Sequence, residues 1–210
     1  MRMAMSAVGV TLLSGCLTAG HVYPDGSGIE GQLEREIMAC KQQLLLAEEE
    51  GQLCGEVNAD SEALYANLVQ VLGGMGATVG HDGGVVAVTL PTGELFSERG
   101  LSVRREARPA IDMVATAAML HKDYEVVIEG HTSDLRAPAS LIDAHPTQWH
   151  WGFARAQQVA ETLQEYGLEP ERISVVARAD TRPLATNDTR PGQAANDRVV
   201  VYLYPPGVRR

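Results

Sequence analysis

"VVIEGHTSD", Val126–Asp134, followed by "WHWGFARAQQVAETL", Trp149–Leu163, decides how the chain folds. The first stretch begins as a run of β-branched residues and ends in small and polar ones, which reads as a strand delivering a turn. The second opens a helix that carries Arg155 in its first half. An acid at a strand's C-terminal end and an arginine on the next helix are two chemical groups placed by one βα unit. The same alternation extends on both sides. Val85–Leu90 reads as a strand turned by Pro91-Thr92-Gly93, and Ser102–His121 as a helix with Ala107, Ile111, Val114, Ala118 and Leu120 on its apolar face. Tyr124–Glu129 is a strand, and Trp149–Tyr166 a helix stopped by Gly167 and Pro170. Ile173–Ala177 and Val199–Leu203 are further strands. Strands alternating with helices predict an α/β fold (an α+β sandwich). Its core is a βαβαβ-type mixed sheet of about four strands with helices packed on one face.

The residues before this region behave differently. Arg2 precedes an apolar stretch, Met3–Leu13, too short to span a bilayer but of the length of a secretory leader. It ends in "LLSGC", Leu12–Cys16, which resembles the bacterial lipobox and implies lipidation of Cys16; the plainer alternative is a chance cysteine. Leu17 after it implies sorting to the outer membrane, with the chain lipid-anchored and facing the periplasm. The expected layout is a leader at 1–15, a Gly- and Pro-containing tether at 16–28, a helical or coiled-coil spacer at 29–76 and a folded domain at 77–206. In the spacer, Leu33, Ile37, Cys40, Leu44 and Ala47 repeat at heptad spacing. That pattern fits a coiled-coil homodimer, a helical hairpin or a helix lying on its own domain. Cys40 and Cys54 are candidates for a disulfide. In one continuous helix they stand about 21 Å apart, so an internal bond needs the chain to reverse near Gly51. The glycine-rich stretch 73–84 reads as a hinge.

The net charge of -10 argues against nucleic acid or an anionic lipid surface as a bulk electrostatic partner. His121, His131, His145 and His150 with Asp123, Asp134 and Asp143 show no metal-ligand spacing, and no cofactor motif occurs. Ser133 beside His131 lacks the G-x-S-x-G elbow of a hydrolase, so the chain reads as non-enzymatic, with a hydrolase or amidase as the rival class.

"IEGHTSD", "WHWGFARAQQVAETL", "RISVVARADTRPLATNDT" and "GQAANDRVVVYL" occur in the order found in OmpA-like C-terminal domains. The resemblance covers about 85–203 and is nearest the MotB-like and peptidoglycan-associated-lipoprotein branches. It implies non-covalent peptidoglycan binding through the diaminopimelate of the stem peptide. The family's acid, in G-H-T-D, takes the ligand's ammonium, and the helix arginine takes its carboxylate. Arg155 matches that arginine. Here Ser133 stands where the acid is expected and Asp134 follows it. A one-residue bulge would return Asp134 to the site. Thr132, Gln148, Asn196 and Arg198 complete the ligand-binding set that the resemblance implies, while Asp197 replaces the first arginine of N-R-R-V. Two alternatives stay open. Arg155 can serve as an intradomain ion pair, and the domain can be a degenerate one that binds a protein partner in an assembly lipoprotein.

Overall fold

The computed structural model describes residues 27–97 and 101–208, so Cys16, the leader and most of the tether lie outside the described residues. The chain divides into two compact units, Met1–Glu50 and Gly51–Arg210. Helix α1, Ser27–Leu72, runs unbroken through Gly51 and Gly55. Cys40 is an exposed free thiol, and the side chains of Leu33 and Cys54 lie outside the described ones. In the first unit Ile37, Leu44, Leu45 and Leu46 are exposed. Within the second unit Leu64, Leu68 and Leu72 are buried in the domain core, so the closing turns of α1 belong to the domain rather than to a spacer. No helix among the described residues is long and apolar enough to cross a membrane.

Five strands form one sheet: β1 (Thr78–Asp82), β2 (Val85–Pro91), β3 (Glu125–His131), β4 (Ile173–Ala179) and β5 (Arg198–Tyr204), in the order β1-β2-β5-β3-β4. β3 and β4 pair in parallel, and every other neighbour is antiparallel. β1 replaces the expected hinge. Asp82 and Val85 face each other across Gly83 and Gly84, whose φ values of 56° and 82° suit a tight hairpin turn. β1 is short, polar and alternately exposed, which is why apolar patterning does not reveal it.

One sheet face presents Val86, Val88, Leu90, Val126, Ile128, Val199, Val201 and Leu203 to the core. The helices cover that face: α3 (Arg108–Leu120) supplies Ile111 and Val114, and α4 (Gln148–Glu165) supplies Val159 and Leu163. α3 begins later than the sequence suggests. Val103 bridges to Phe96, and the Arg104 amide donates to the Leu95 carbonyl at 2.8 Å, so this segment is held as an extended connection beside the single turn α2 (Thr92–Leu95). Pro109 then sits in the first turn of α3, where a missing N–H costs nothing. A short helix, α5 (Arg190–Asn196), is capped by Thr189, whose hydroxyl accepts from the Gly192 amide.

Two glycines set how closely α4 lies on β3. A Cβ built on Gly130 would stand 1.9 Å from the Gly152 carbonyl oxygen, and one on Gly152 would stand 2.8 Å from the Gly130 oxygen. Helix and strand therefore touch backbone to backbone at this point. Arg155 follows Gly152 by less than one turn, so this contact fixes where its side chain starts.

Candidate functional site

The end of β3 is held by its neighbours. In the parallel register Gly130 faces Ala177 but His131 faces Ala179, so the bulge is an extra residue, Arg178, on β4. Ala179 closes that bulge at a φ of 51°, and its carbonyl accepts the Thr132 amide at 2.9 Å. A one-residue bulge that returns Asp134 to the site has to lie on the strand that carries Asp134. Because the extra residue lies on the partner strand, Asp134 stays outside. It is exposed, and Gln193 reaches its Oδ1 at 3.4 Å.

Ser133 is fully buried, and both of its donors go to one carboxylate. Its amide donates to Asp197 Oδ1 at 3.0 Å and its hydroxyl to Oδ2 at 3.1 Å. Arg155 Nη1 donates to the same Oδ1 at 2.7 Å. The Asp197 carbonyl in turn accepts the Thr92 amide at 3.0 Å and the Thr92 hydroxyl at 3.1 Å. Asp197, at the C-cap of α5, thus joins the β3 end, α4 and the start of α2.

The Arg155 guanidinium lies over the Trp151 ring, 4.5 Å from its centroid, and the His145 ring is tilted against the same indole with 5.7 Å between centroids. Trp151 precedes Arg155 by four positions and so shares its helix face. Burial pulls the Arg155 pKa below its ordinary value, and the Asp197 carboxylate opposes that shift. The side chains keep partial access to solvent, 12% for Arg155 and 20% for Asp197. Both line a cleft of about 250 Å³ together with Thr92, Phe96, Arg136 and Trp151.

Several residues expected at the ligand have other work. Asn196 accepts the Leu184 and Ala185 amides through Oδ1, and donates to the Ala185 carbonyl and Asn187 Oδ1 through Nδ2. Those four bonds use the full capacity of an amide side chain, so Asn196 clamps the 184–187 loop. Arg198 is buried and donates to the Arg182 carbonyl at 3.1 Å and to His131 Nδ1 at 3.2 Å. Gln148 Nε2 donates to the Asp134 carbonyl at 3.0 Å and so ties a loop rather than lining the cleft. Thr132 is buried beside the strand end. Of the implied set, Arg155 alone lines the cleft.

Beneath the turn, His131 and Glu129 form a second charged cluster. Arg198 can only donate, so His131 Nδ1 accepts and the ring proton sits on Nε2, 3.3 Å from Glu129 Oε2. Arg178 Nε donates to Glu129 Oε1 at 2.7 Å. Burial pushes the Glu129 carboxyl up, but hydrogen bonds from His131 and Arg178 and the Arg178 charge outweigh it and bring it down to about 2. The other histidines are dispersed: His121 meets Asp60 at 2.9 Å, and His150 meets Thr147 at the α4 cap.

Residues 95–197 match the OmpA family. The chain carries an OmpA-family domain. Motility protein B of Bacillus subtilis is 24% identical over 121 residues, which is 57% of this chain and 45% of that protein's length. The probable lipoprotein YiaD of Escherichia coli is 24% identical over 153 residues, 73% of this chain and 67% of that protein. Among solved structures, the cell wall anchor of the T6SS from Pseudomonas aeruginosa superposes with a TM-score of 0.60 at 29% identity. The match covers 68% of this chain and 96% of that one. The chain thus spans less than half the length of the motility protein it matches, and the five-stranded sheet with helices on one face is the fold of this OmpA-family domain. Sequence reasoning missed Asp197 as part of the site. Its signal was divided between two departures from the family pattern, a lost acid at Ser133 and a gained one at Asp197, which only the fold brings together.

Proposed function

We propose that this OmpA-family domain holds peptidoglycan non-covalently, gripping the diaminopimelate of the stem peptide, in an envelope lipoprotein anchored through Cys16 to the outer membrane. The observation that carries the reading is Arg155: a guanidinium held by Trp151 and Asp197 at the wall of a cleft, with most of its fork of donors unused among the described residues. Such a planar fork suits a carboxylate, because two parallel bonds can form at once. The family membership supports the same reading, as do a relative named a probable lipoprotein and a similar structure described as a cell wall anchor. "LLSGC" supports the anchor.

Sedimentation with purified diaminopimelate-type sacculi tests the binding. Wild-type protein should pellet with them, and Arg155→Ala should bind at least about tenfold more weakly, since a charged hydrogen bond contributes roughly 1.5–3 kcal/mol. Arg155→Lys should fail to restore binding, because a point charge cannot make the bidentate contact. A folded wild-type protein that stays in the supernatant would refute the proposal and favour a protein partner.

A further inference from the structure

Resting on the peptidoglycan reading, we infer that Asp197, not Asp134, is the acidic pole of the cleft. Together with Arg155 it selects a ligand end bearing an ammonium and a carboxylate on the same carbon.

The geometry carries this in three steps. A carboxylate offers about four lone-pair positions, and three on Asp197 are used: Oδ1 by the Ser133 amide and Arg155, Oδ2 by the Ser133 hydroxyl. Among the described residues one position therefore remains on Oδ2 of a side chain that is still 20% exposed and lines the cleft. Arg155 spends only Nη1 on Asp197 among the described residues, which leaves the rest of its fork for an incoming carboxylate. The two poles are 2.7 Å apart, so a ligand that satisfies both must carry its own opposite charges side by side. An amino-acid head does so; a chain with charges at separate ends does not.

Charge then gives selectivity by exclusion. A carboxylate without an ammonium meets the negative Asp197 beside Arg155, and an amine without a carboxylate meets Arg155 and Arg136, which also lines the cleft. Like charges placed together disfavour the wrong partner. Asp134 has no place in this arrangement, because its carboxylate is exposed and is reached by Gln193, outside the cleft lining.

The test uses the full chain and three free probes of similar length, read by calorimetry: meso-diaminopimelate, glutarate and 1,5-diaminopentane. Wild-type protein should bind meso-diaminopimelate at least about tenfold more tightly than either of the others. Asp197→Asn keeps the shape and an acceptor for the Ser133 amide. It should weaken meso-diaminopimelate at least about tenfold while tightening glutarate, because the repelling charge is gone. Asp134→Ala should leave all three affinities within about twofold. If Asp197→Asn melts at a much lower temperature, Asp197→Ser with the same probes replaces it. Should Asp197→Asn bind meso-diaminopimelate like wild type while Arg155→Ala does not, the role of Asp197 is overturned and the peptidoglycan reading stands. A loss on Asp134→Ala with no loss on Asp197→Asn overturns it in favour of Asp134. Absence of wild-type binding to both meso-diaminopimelate and sacculi overturns the reading and this inference together.

Discussion

Beneath the turn that ends β3, Glu129 sits between His131 and Arg178. It is a buried carboxylate held ionised by His131 and Arg178, with its pKa lowered from 4.5 to about 2. A lowered folded-state pKa stabilises the protein above the ordinary carboxylate range. That stability is lost as the pH falls from about 4.5 towards 2. Urea midpoints measured from neutral pH down to about 2 should fall through this window in the wild type, and Glu129→Gln should flatten the decline. At neutral pH the substitution should cost no more than about 3 kcal/mol, because Arg178 is a third exposed and water can take over its charge. An unchanged acid limb in Glu129→Gln would assign the loss to other groups. Residues of this kind were partly legible in the sequence. Arg155 could be read because it is followed by Ala156 on a helix of clear period, and His131 because it stands in a recognisable turn. The partners were not legible: Asp197 lies far along the chain from both Ser133 and Arg155, and no local pattern links them.

At the scale of elements, strands and helices with strong apolar period were read nearly to their ends, while those made by other means were missed. β2, β3, β4 and β5 each carry an apolar run, whereas β1 is identified only by the Gly83-Gly84 turn that folds it onto β2. α5 depends on the Thr189 cap and Pro191 rather than on an apolar face. Amphipathic spacing alone starts α3 too early, because it continues into a segment whose backbone is hydrogen-bonded to the end of α2. The α4–β3 contact is likewise an element-scale feature with a testable consequence. Gly130→Ala puts a methyl within 1.9 Å of the Gly152 carbonyl oxygen, with backbone on both sides. Neither side can yield without moving the helix, so the expected cost is about 3 kcal/mol or more, at the top of the range for overpacking. Thermal melting of Gly130→Ala should show a drop of several degrees or more. Wild-type stability in that variant would mean that α4 does not rest on β3 as described.

Over the whole molecule, acidity and local basicity coexist. The net charge of -10 says little about this cleft, where Arg136 and Arg155 outnumber Asp197. Bulk charge governs long-range partners, but a cleft responds to the few groups that line it. The Ser133 amide adds something of a different kind. Its proton points at a side-chain carboxylate rather than into the sheet ladder, and that carboxylate is also bound to Arg155. In a ¹⁵N-resolved NMR spectrum this one resonance should therefore act as an internal gauge of the site. It should move when meso-diaminopimelate is added and when Asp197 becomes Asn, while amides of β1 stay still. A Ser133 signal indifferent to both would mean that the carboxylate it touches is not the one the ligand meets.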